Sequence, residues 1–403
     1  MMKYEKYKAS EIHWLSQIPA HWEVKRVKDL GEYQSGEYIN ANEFDEENLY
    51  PVYGGNSFRG FANKYNTEGD YVLIGRQGAL CGNINYGSGK FWATEHCVVV
   101  YHKRKINVKW LGELLRIMNL NQYATSTAQP GLSVEKIKRL ELPVPSYEEQ
   151  TAIAQYLDAK TQAIDKKINL LTKKAETYKE LRKSLINDTI CKGLDKKVKL
   201  KESGIDRIGK IPEHWEVKRL KAFAKTVKGR NLEFFDNPFE KALPNLSLDY
   251  LRNDKVEFIS YCYTKDKSQL VDENDLIIVW DGAGVGEILK GKKGFISSTT
   301  AKFVFDKTMF SKFFFHLRDS IEYTLKQIPT GMGIPHLNPQ VLNNFPCPVP
   351  PKNEQIEIAN YLDEKTQKID AIVINIGKQI DTLKELRKTL INDVVTGKIM
   401  VNG

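Results

Sequence analysis

Cysteine is scarce in this sequence, and no apolar segment is long enough to cross a membrane. An odd number of scattered cysteines does not suit a disulfide framework and is typical of a reducing compartment, so we expect buried thiols. No stretch approaches about 18 consecutive apolar residues, and the first residues lack the apolar core of a signal peptide. These absences argue against secretion and membrane insertion and predict a cytoplasmic protein. The five cysteines are Cys81, Cys97, Cys191, Cys262 and Cys347.

Complete motifs for catalysis, nucleotide binding and metal binding are also missing. Residues 281–286 space their glycines like a nucleotide-binding loop, but no helix is evident after them. Residues 87–91 lack the hydroxyl residue of a P-loop, and residues 236–239 lack the second proline of the Asn-Pro-Pro-aromatic motif of adenine methyltransferases. The seven histidines show no zinc-ligand spacing with the cysteines. We therefore predict no catalytic residue, no metal site and no bound cofactor.

The charge balance is positive in a sequence of otherwise ordinary globular composition. Lysine and arginine number 60 against 51 acidic residues, which gives a net charge of +9. Hydrophobic residues make up 41% of the 403 residues and charged residues 28%, as in folded proteins. The length favours two or three domains, and the positive charge favours a polyanionic partner.

Two pairs of segments recur in order along the chain. Residues 18–28 return as residues 211–221 with nine identities in eleven, at an offset of 193. Residues 148–188 return as residues 353–393 with 23 identities in 41, at an offset of 205. The middle of the second half is therefore 12 residues longer, and the two middles align poorly. Similar flanking segments around dissimilar middle segments indicate two recognition modules on a shared scaffold. They do not indicate a solenoid of short repeats.

The longer repeated segment predicts two long amphipathic helices. Its apolar residues follow heptad spacing in both copies, and each copy follows a proline-rich segment that ends the preceding module. A helix of about 41 residues spans roughly 60 Å, and a folded module separates the two helices along the chain. We therefore predict an antiparallel coiled coil with the two modules in pseudo-two-fold relation; the alternative is a pair of helices that only stabilises a dimer. The residues predicted to pair the helices are Ile153, Leu157, Ile164, Ile168, Leu171, Ile358, Leu362, Ile369, Val373 and Ile376.

The remaining residues predict two α/β modules, so the expected fold class is α+β. Each module mixes glycine turns and one helix with short β-rich runs, at residues 71–74 and 98–101 and at residues 276–280 and 303–305. The predicted domains are a first module at residues 1–145, a first long helix at 146–192, a second module at 193–350 and a second long helix at 351–403.

Each module places a glycine turn after a strand, at residues 75–78 and 281–284, and a polar loop near its end, at 126–131 and 329–336. Such turns let a backbone approach a phosphate, and Arg76 and Gln77 carry groups that can read purine edges. Nearby lysines and arginines are predicted to contact phosphates, although a plain turn or a solvated charge explains any one of these residues as well or better. The candidate contact residues are Asn56, Arg59, Lys64, Arg76, Gln77, Ser126, Thr127, Gln129, Arg230, Arg252, Asp281, Lys302, Thr330, Met332 and His336.

These features together resemble the specificity subunits of type I restriction-modification systems. The likeness covers essentially the whole chain, and several of its motifs occur in order, twice. They are Ile-Pro-x-His-Trp-Glu-Val-Lys-Arg at 18–26 and 211–219, Tyr-Pro-Val-Tyr-Gly-Gly-Asn at 50–56, Glu-Gln after Pro-x-Pro at 149–150 and 354–355, and Leu-Arg-Lys-x-Leu-Ile-Asn-Asp at 181–188 and 386–393.

The resemblance implies that each module is a target recognition domain for one half of a split double-stranded DNA site. It implies that the paired helices set the gap and dock two methyltransferase subunits, with restriction and translocation subunits joining for cleavage. It implies no activity of the chain alone: the partners use S-adenosylmethionine for adenine N6-methylation, and ATP with Mg for restriction. The unlike modules predict unlike half-sites, so we expect an asymmetric target.

Two other classes of function compete with this interpretation. A self-sufficient methyltransferase or nuclease is opposed by the missing motifs. A coiled-coil DNA-binding regulator without enzyme partners is the alternative that the sequence leaves open.

Overall fold

The computed structural model describes residues 2–44, 49–78, 80–125, 131–205, 208–253, 255–328, 330, 333 and 335–401. The chain divides into two compact units, one formed by Met1–Lys173 with Gly377–Gly403 and the other by Lys174–Ile376. Each unit contains one variable module and a part of each long helix. The unit boundaries thus fall inside the helices, whereas the predicted domains follow consecutive segments of chain, and those domain bounds stay a prediction.

The first unit contains twelve strands among its described residues, two short helices and the start of a long one. Its strands are β1 (Tyr7–Ile12), β2 (Leu15–Pro19), β3 (Glu23–Arg26), β4 (Gly31–Ser35), β5 (Tyr50–Tyr53), β6 (Phe58–Ala62), β7 (Thr67–Glu68), β8 (Tyr71–Gly75), β9 (Ile84–Gly87), β10 (Lys90–Ala93), β11 (Cys97–His102) and β12 (Glu141–Val144). Its helices are α1 (Val108–Ile117), α2 (Val134–Lys138) and the first part of α3 (Tyr147–Lys192), with 3-10 turns at Val27–Asp29, Ala41–Glu43 and Leu120–Tyr123. The unit also contains the end of the second long helix, α8 (Lys352–Val395), from Gly377 onward.

The second unit follows the same general plan. Its strands are β13 (Leu200–Glu202), β14 (Lys210–Pro212), β15 (Glu216–Arg219), β16 (Ala224–Lys228), β17 (Phe234–Phe235), β18 (Leu243–Leu246), β19 (Tyr261–Cys262), β20 (Leu270–Val271), β21 (Leu276–Val279), β22 (Ile288–Lys290), β23 (Gly294–Ile296), β24 (Thr300–Phe305) and β25 (Pro346–Val349). Its helices are α4 (Leu248–Arg252), α5 (Ser311–His316), α6 (Arg318–Gln327), α7 (Pro339–Asn344), the end of α3 from Lys174 and most of α8 (Lys352–Val395), with 3-10 turns at Leu220–Ala222 and Lys267–Gln269.

An antiparallel four-stranded sheet with the order β4-β11-β8-β9 forms the frame of the first unit. The predicted β-rich runs at 71–74 and 98–101 are confirmed as β8 and β11, which pair directly. A second sheet, β6-β5-β10-β7, contains one parallel pair, β5 with β10. Helix α1 contacts β8 and β9, and its Trp110 is fully buried in the core between helix and sheet. Asn107 caps this helix, because its side chain accepts a hydrogen bond from the Trp110 amide at 3.0 Å.

The frame sheet of the second unit has the order β16-β24-β21-β22 and is also antiparallel throughout. The runs at 276–280 and 303–305 are confirmed as parts of β21 and β24. A five-stranded sheet, β17-β19-β18-β23-β20, again contains one parallel pair, β18 with β23. Phe303, Phe313 and Phe314 fill the core between the frame sheet and α5.

The proline-rich segments before the long helices form strands. Residues Glu141–Val144 pair antiparallel with Glu23–Arg26 as β12 and β3, and Pro346–Val349 pair with Glu216–Arg219 as β25 and β15. Both pairs are two-stranded, so their prolines lie where few ladder hydrogen bonds are needed. Each module is thereby closed by a strand from its beginning and a strand from its end.

The prediction of one helix in each variable module was wrong. The first module contains α1 and α2, and the second contains α4, α5, α6 and α7. Most of these helices have five or six residues, which is under two turns and too short to show an apolar period in the sequence.

The two long helices are confirmed as continuous elements of 46 and 44 residues, α3 and α8. All ten residues predicted to pair the helices are buried or half-buried, whereas the lysines and glutamates between them are mostly exposed. The heptad spacing therefore marks the less exposed face of each helix.

Candidate nucleic-acid interface

A cluster of side chains, some buried and some exposed, holds the start of α3 against the first module. His21 hydrogen-bonds through Nε2 to Glu149 Oε2 at 3.0 Å, and the neighbouring Trp22 is fully buried. The next helix residue, Gln150, accepts a hydrogen bond from the Asn107 amide at 3.0 Å through Oε1. The second unit repeats these contacts, as described next, which gives the His-Trp pairs a packing role at the start of each long helix.

In the second unit His214 Nε2 lies 2.9 Å from Glu354 Oε2 beside the fully buried Trp215. Gln355 Oε1 accepts a hydrogen bond from the Phe310 amide at 2.8 Å. The repeated His-Trp and Glu-Gln motifs are therefore two halves of one contact, which positions a module on its helix.

The turn after β8 lies between three segments of the first unit. The Arg76 amide donates to the His96 carbonyl at 2.9 Å, and the Arg76 carbonyl accepts from the Leu132 amide at 2.8 Å. Gln77 forms an isolated antiparallel bridge with Gly131. Gln77 is exposed, so its side-chain amide faces solvent at the end of the sheet.

The turn after β21 has the same hydrogen bonds in the second unit. The Trp280 amide donates to the Thr299 carbonyl at 2.8 Å, and the Trp280 carbonyl accepts from the Leu337 amide at 2.8 Å. Asp281 bridges His336 as Gln77 bridges Gly131. We call these two segments, residues 75–78 with 80–82 and residues 279–286, the sheet-end turns.

The sheet-end turns correspond glycine for glycine at their centres. Gly78 and Gly282 have positive φ values of 90° and 100°, a conformation that side chains disfavour. The structure thus matches Gly78 with Gly282, so the sequence-predicted turns 75–78 and 281–284 are two residues out of step. The reason is that β21 ends on Val279 where β8 ends on Gly75.

A cavity of about 450 Å³ lies beside the first sheet-end turn and is lined by Asn56, Arg59, Gln77 and His96 among others. The Asn56 carbonyl accepts from the side-chain amides of Asn83 at 2.8 Å and Asn85 at 3.0 Å, which fixes the backbone there. Two amides, a guanidinium and an imidazole offer both donors and acceptors, the groups that read base edges.

A second cavity, of about 420 Å³, adjoins the same turn and is lined by Arg76, Gln77, Thr125 and residues 131–135. Arg76 donates from Nη1 to Ser35 Oγ at 2.9 Å. The structure therefore brings together four of the candidate residues of the first module, namely Asn56, Arg59, Arg76 and Gln77.

In the second module a charged cluster occupies the corresponding place. His336 Nδ1 lies 2.6 Å from Asp281 Oδ1, and Lys228 Nζ lies 2.9 Å from Asp281 Oδ2. Thr330 exchanges two backbone hydrogen bonds with His336, at 2.7 and 2.9 Å. Partial burial alone would raise the pKa of Asp281, but the hydrogen bonds from His336 and Lys228 outweigh it and hold the pKa below its usual range. Asp281 is thus an anion that orients the imidazole of His336, half of which is exposed.

Four basic candidates make local contacts elsewhere in their units. Lys64 Nζ lies 2.5 Å from Glu43 Oε2 and over the Trp92 ring. Arg230 Nη1 lies 3.3 Å from Asp266 Oδ2.

Arg252 donates from Nε to Glu287 Oε2 at 3.1 Å, close to the second sheet-end turn. Lys302 is mostly buried, and its ammonium group reaches from β24 of the frame sheet to the Leu270 carbonyl on β20 of the five-stranded sheet. A role for these four residues in binding stays a prediction. The candidates Ser126, Thr127, Gln129 and Met332 lie outside the described residues.

Three residues of the site were not among the candidates. His96, the residue before β11, and Ser35 of β4 meet the first turn, and Lys228 of β16 meets the second. Each lies 20 or more residues from its partner in sequence, so no local motif marked it.

The described residues hold no group of three or more histidine, cysteine, aspartate or glutamate side chains arranged to bind a metal. All five cysteines are buried and unpaired, as expected. Burial raises the pKa of the Cys97 thiol to about 12 and that of Cys191 to about 11. Among the described helices, none combines the length and apolarity needed to cross a membrane.

Comparison with curated proteins shows partial matches to specificity subunits. The EcoprrI specificity subunit of Escherichia coli, a type I restriction enzyme subunit, is 45% identical over 138 residues, 33% of this chain and 34% of that protein. The MjaVIII specificity subunit of Methanocaldococcus jannaschii is 34% identical over 189 residues, 46% of this chain and 43% of that protein. The matches thus span between a third and a half of the length of these relatives.

A solved structure supports the fold over nearly the whole chain. A protein from work on complex assembly and conformational transition of the type I R-M system has a TM-score of 0.72 to this chain at 15% identity. The superposition covers 95% of this chain and 99% of that one. The family model for the type I restriction modification DNA specificity domain matches residues 19–174 and again residues 212–382. Because these two segments make up most of the sequence and each contains one module, the chain belongs to the type I restriction modification DNA specificity family.

Proposed function

We propose that this chain is the DNA sequence-specificity subunit of a type I restriction-modification complex and that each module binds one half of a bipartite, asymmetric target. The sheet-end turns carry the proposal. They share one pattern of hydrogen bonds, yet they present Gln77 beside Gly131 in one unit and Asp281 beside His336 in the other. A common frame with unlike polar groups suits two readers of unlike DNA half-sites.

The proposal includes an antiparallel coiled coil of α3 and α8 that sets the gap between the half-sites. Within the first unit Arg387 donates from Nε to Asp165 Oδ1 at 3.0 Å. Within the second unit Arg182 Nε lies 2.9 Å from Asp370 Oδ1. The two arginines occupy one position of the sequence repeat and the two aspartates another. This supports a pairing in which the start of each helix lies against the end of the other, as an internal two-fold duplication requires.

Partner subunits supply the chemistry in this proposal. Two methyltransferase subunits dock on the helices and use S-adenosylmethionine for adenine N6-methylation, and restriction subunits use ATP with Mg in the cytoplasm. Family membership supports these partners, and it disfavours the alternative of a coiled-coil DNA-binding regulator without enzymes.

Mapping N6-methyladenine across the host genome, with and without this gene, tests the proposed function. We expect one bipartite motif with a constant gap and two unlike halves, which disappears when the gene is deleted. An unchanged methylation map in the deletion strain would refute the proposal.

A further inference from the structure

We propose that each unit binds a DNA backbone phosphate through one cation at the end of its frame sheet, Arg76 in the first unit and Lys228 in the second. We call these two residues the sheet-end cations. The inference rests on the proposed DNA-binding function. It assigns Arg76 and Lys228 to affinity, and leaves sequence selection to the groups beside them.

In the first unit the cation comes from the residue after β8. Arg76 reaches across to Ser35, the last residue of β4, and donates from Nη1 to its hydroxyl at 2.9 Å. Strands β4 and β8 are both neighbours of β11, so the guanidinium spans the end of the middle strand. Two backbone hydrogen bonds, to His96 and from Leu132, hold Arg76 in place.

In the second unit the cation comes from the opposite side of the middle strand. Lys228 is the last residue of β16, and its Nζ lies 5.8 Å from the ring centroid of Trp280, the residue after β21. The same Nζ is 2.9 Å from Asp281 Oδ2. An ammonium group has three donors and 46% of this side chain is exposed, so donors remain for a further anion.

The pairing of the strands makes these positions equivalent. Ser35 and Ile74 both pair with Val98. Lys228 and Ile278 both pair with Ala301. Position 35 therefore corresponds to 228, and position 76 to 280. The first unit has Ser35 and Arg76 at these two positions, and the second unit has Lys228 and Trp280. Each unit therefore carries one cation at the same end of its frame sheet, although the cation comes from a different strand.

The groups next to the sheet-end cations do not match in the same way. Gln77 is an exposed amide, whereas Asp281 is a carboxylate hydrogen-bonded to the imidazole of His336. A charge that two readers retain while their targets differ is suited to the phosphates, which are the same in every sequence. Side chains that differ between readers are suited to base edges, which differ between half-sites.

The test uses the full chain assembled with its methyltransferase partner and a duplex that carries the target defined by the wild-type methylation map. A plot of log K against log salt has a negative slope. Arg76→Gln should make this slope less steep by about 0.9, the contribution of one phosphate contact. The affinity should then fall by about 15-fold at 50 mM salt and by about four-fold at 200 mM salt. The methylated motif in cells should stay the same.

Two further variants separate charge from local structure. Arg76→Trp should lose the same salt dependence, and Ser35→Lys added to it should restore the slope by copying the arrangement of the second unit. Gln77→Ala is the matched control beside the cation, and it should relax the motif at a base position while leaving the slope unchanged.

A changed motif in Arg76→Gln would overturn the inference, because the residue would then read bases. An unchanged slope with only a lower melting temperature would also overturn it, since Arg76 would then only hold β4 to β8. Both results require that the wild type has a methylated motif that depends on this gene. If the proposed function itself is wrong, no such motif exists, so the two failures can be told apart.

Discussion

The close approach of two backbone segments at Gly75 predicts a strong effect of a single methyl group. A Cβ atom added at Gly75 would lie 1.7 Å from the Gly55 carbonyl oxygen, whereas ordinary contacts begin near 3.4 Å. The Gly55 segment cannot move away easily, because it is itself packed closely against the segment of His96. This close packing is seen from a Cβ built on Gly55, which would lie 3.0 Å from the His96 carbonyl oxygen. Gly75→Ala must therefore push the turn that carries Asn56 away from the sheet-end turn that carries Gln77.

Overpacking of this kind costs about 1–3 kcal/mol, and a displacement well over 1 Å in a backbone turn belongs at the upper end. For a unit of about 200 residues, 3 kcal/mol corresponds to a melting temperature lower by roughly 6–12 °C. The matched control is Gly131→Ala, because an added Cβ at Gly131 meets nothing within 4 Å. We expect the control to melt within about 2 °C of the wild type.

Differential scanning calorimetry of the full chain measures both variants. The transition that shifts in Gly75→Ala should belong to one unit, with the other left unchanged, since the two units have separate cores. Equal melting of Gly75→Ala and wild type would refute the reasoning, because the turn would then yield without cost. The equivalent residue in the second unit is Val279, so the restriction at Gly75 comes from the Gly55 turn and not from the sheet itself.

Three further predictions concern the helices and one buried histidine. Insertion of one heptad into both helices, after Lys173 and after Lys378, lengthens each helix by about 10.5 Å. The gap in the methylated motif should then grow by at most about three base pairs, with both half-sites unchanged. Altered half-sites would mean that the helices read bases. Gly377→Ala should raise stability to urea by about 1 kcal/mol, because an added Cβ meets nothing within 4 Å and alanine favours the helix; a lower midpoint would contradict this. Burial lowers the pKa of His316 despite its contact with Asp363, so the stability that this residue confers is present above pH 6.5 and is lost as the pH falls towards the folded-state pKa. The melting temperature of the wild type should therefore fall more between pH 7 and 5.5 than that of His316→Gln, and equal falls would exclude the mechanism.

The parts of the fold that the sequence predicted well are those with a strong local period. The predicted helix-pairing residues of α3 and α8 repeat over about five turns of each helix, and the apolar runs of β8, β11, β21 and β24 are bounded by glycine and polar residues. These patterns arise from contacts within an element or between a whole face and the core. Short helices such as α4 and α7 carry no such pattern, because one turn does not define a face.

The candidate site was only partly predictable because it is built by distant segments. Gln77 and Asp281 could be singled out from their turns, but nothing local indicated that Lys228 would meet Asp281 across 53 positions of sequence. The motif pairs His-Trp and Glu-Gln were visible, yet their contact depends on the pairing of β3 with β12 and of β15 with β25. Tertiary placement of this kind requires the fold and is not contained in residue type or spacing.

The strand pairing also shows where the second module gained its additional residues. The offset between equivalent positions is 193 at the ends of β4 and β16, where Ser35 corresponds to Lys228. It is 204 by β8 and β21, where Ile74 corresponds to Ile278. Eleven of the 12 additional residues therefore lie between these strands, in the segment that forms β17, β18, β19 and α4.

The geometry of the frame sheet explains why this segment tolerates such change. Its two ends lie on strands that flank the same middle strand, β11 in one unit and β24 in the other, and these flanking strands are about 9.6 Å apart, two strand spacings. A segment that connects two strands on either side of one middle strand can change in length without moving either strand. The additional residues increase the entropic cost of closing the loop only slightly. The sheet-end turns keep their hydrogen bonds for this reason, and the side chains on them can differ between modules while the frame beneath stays the same.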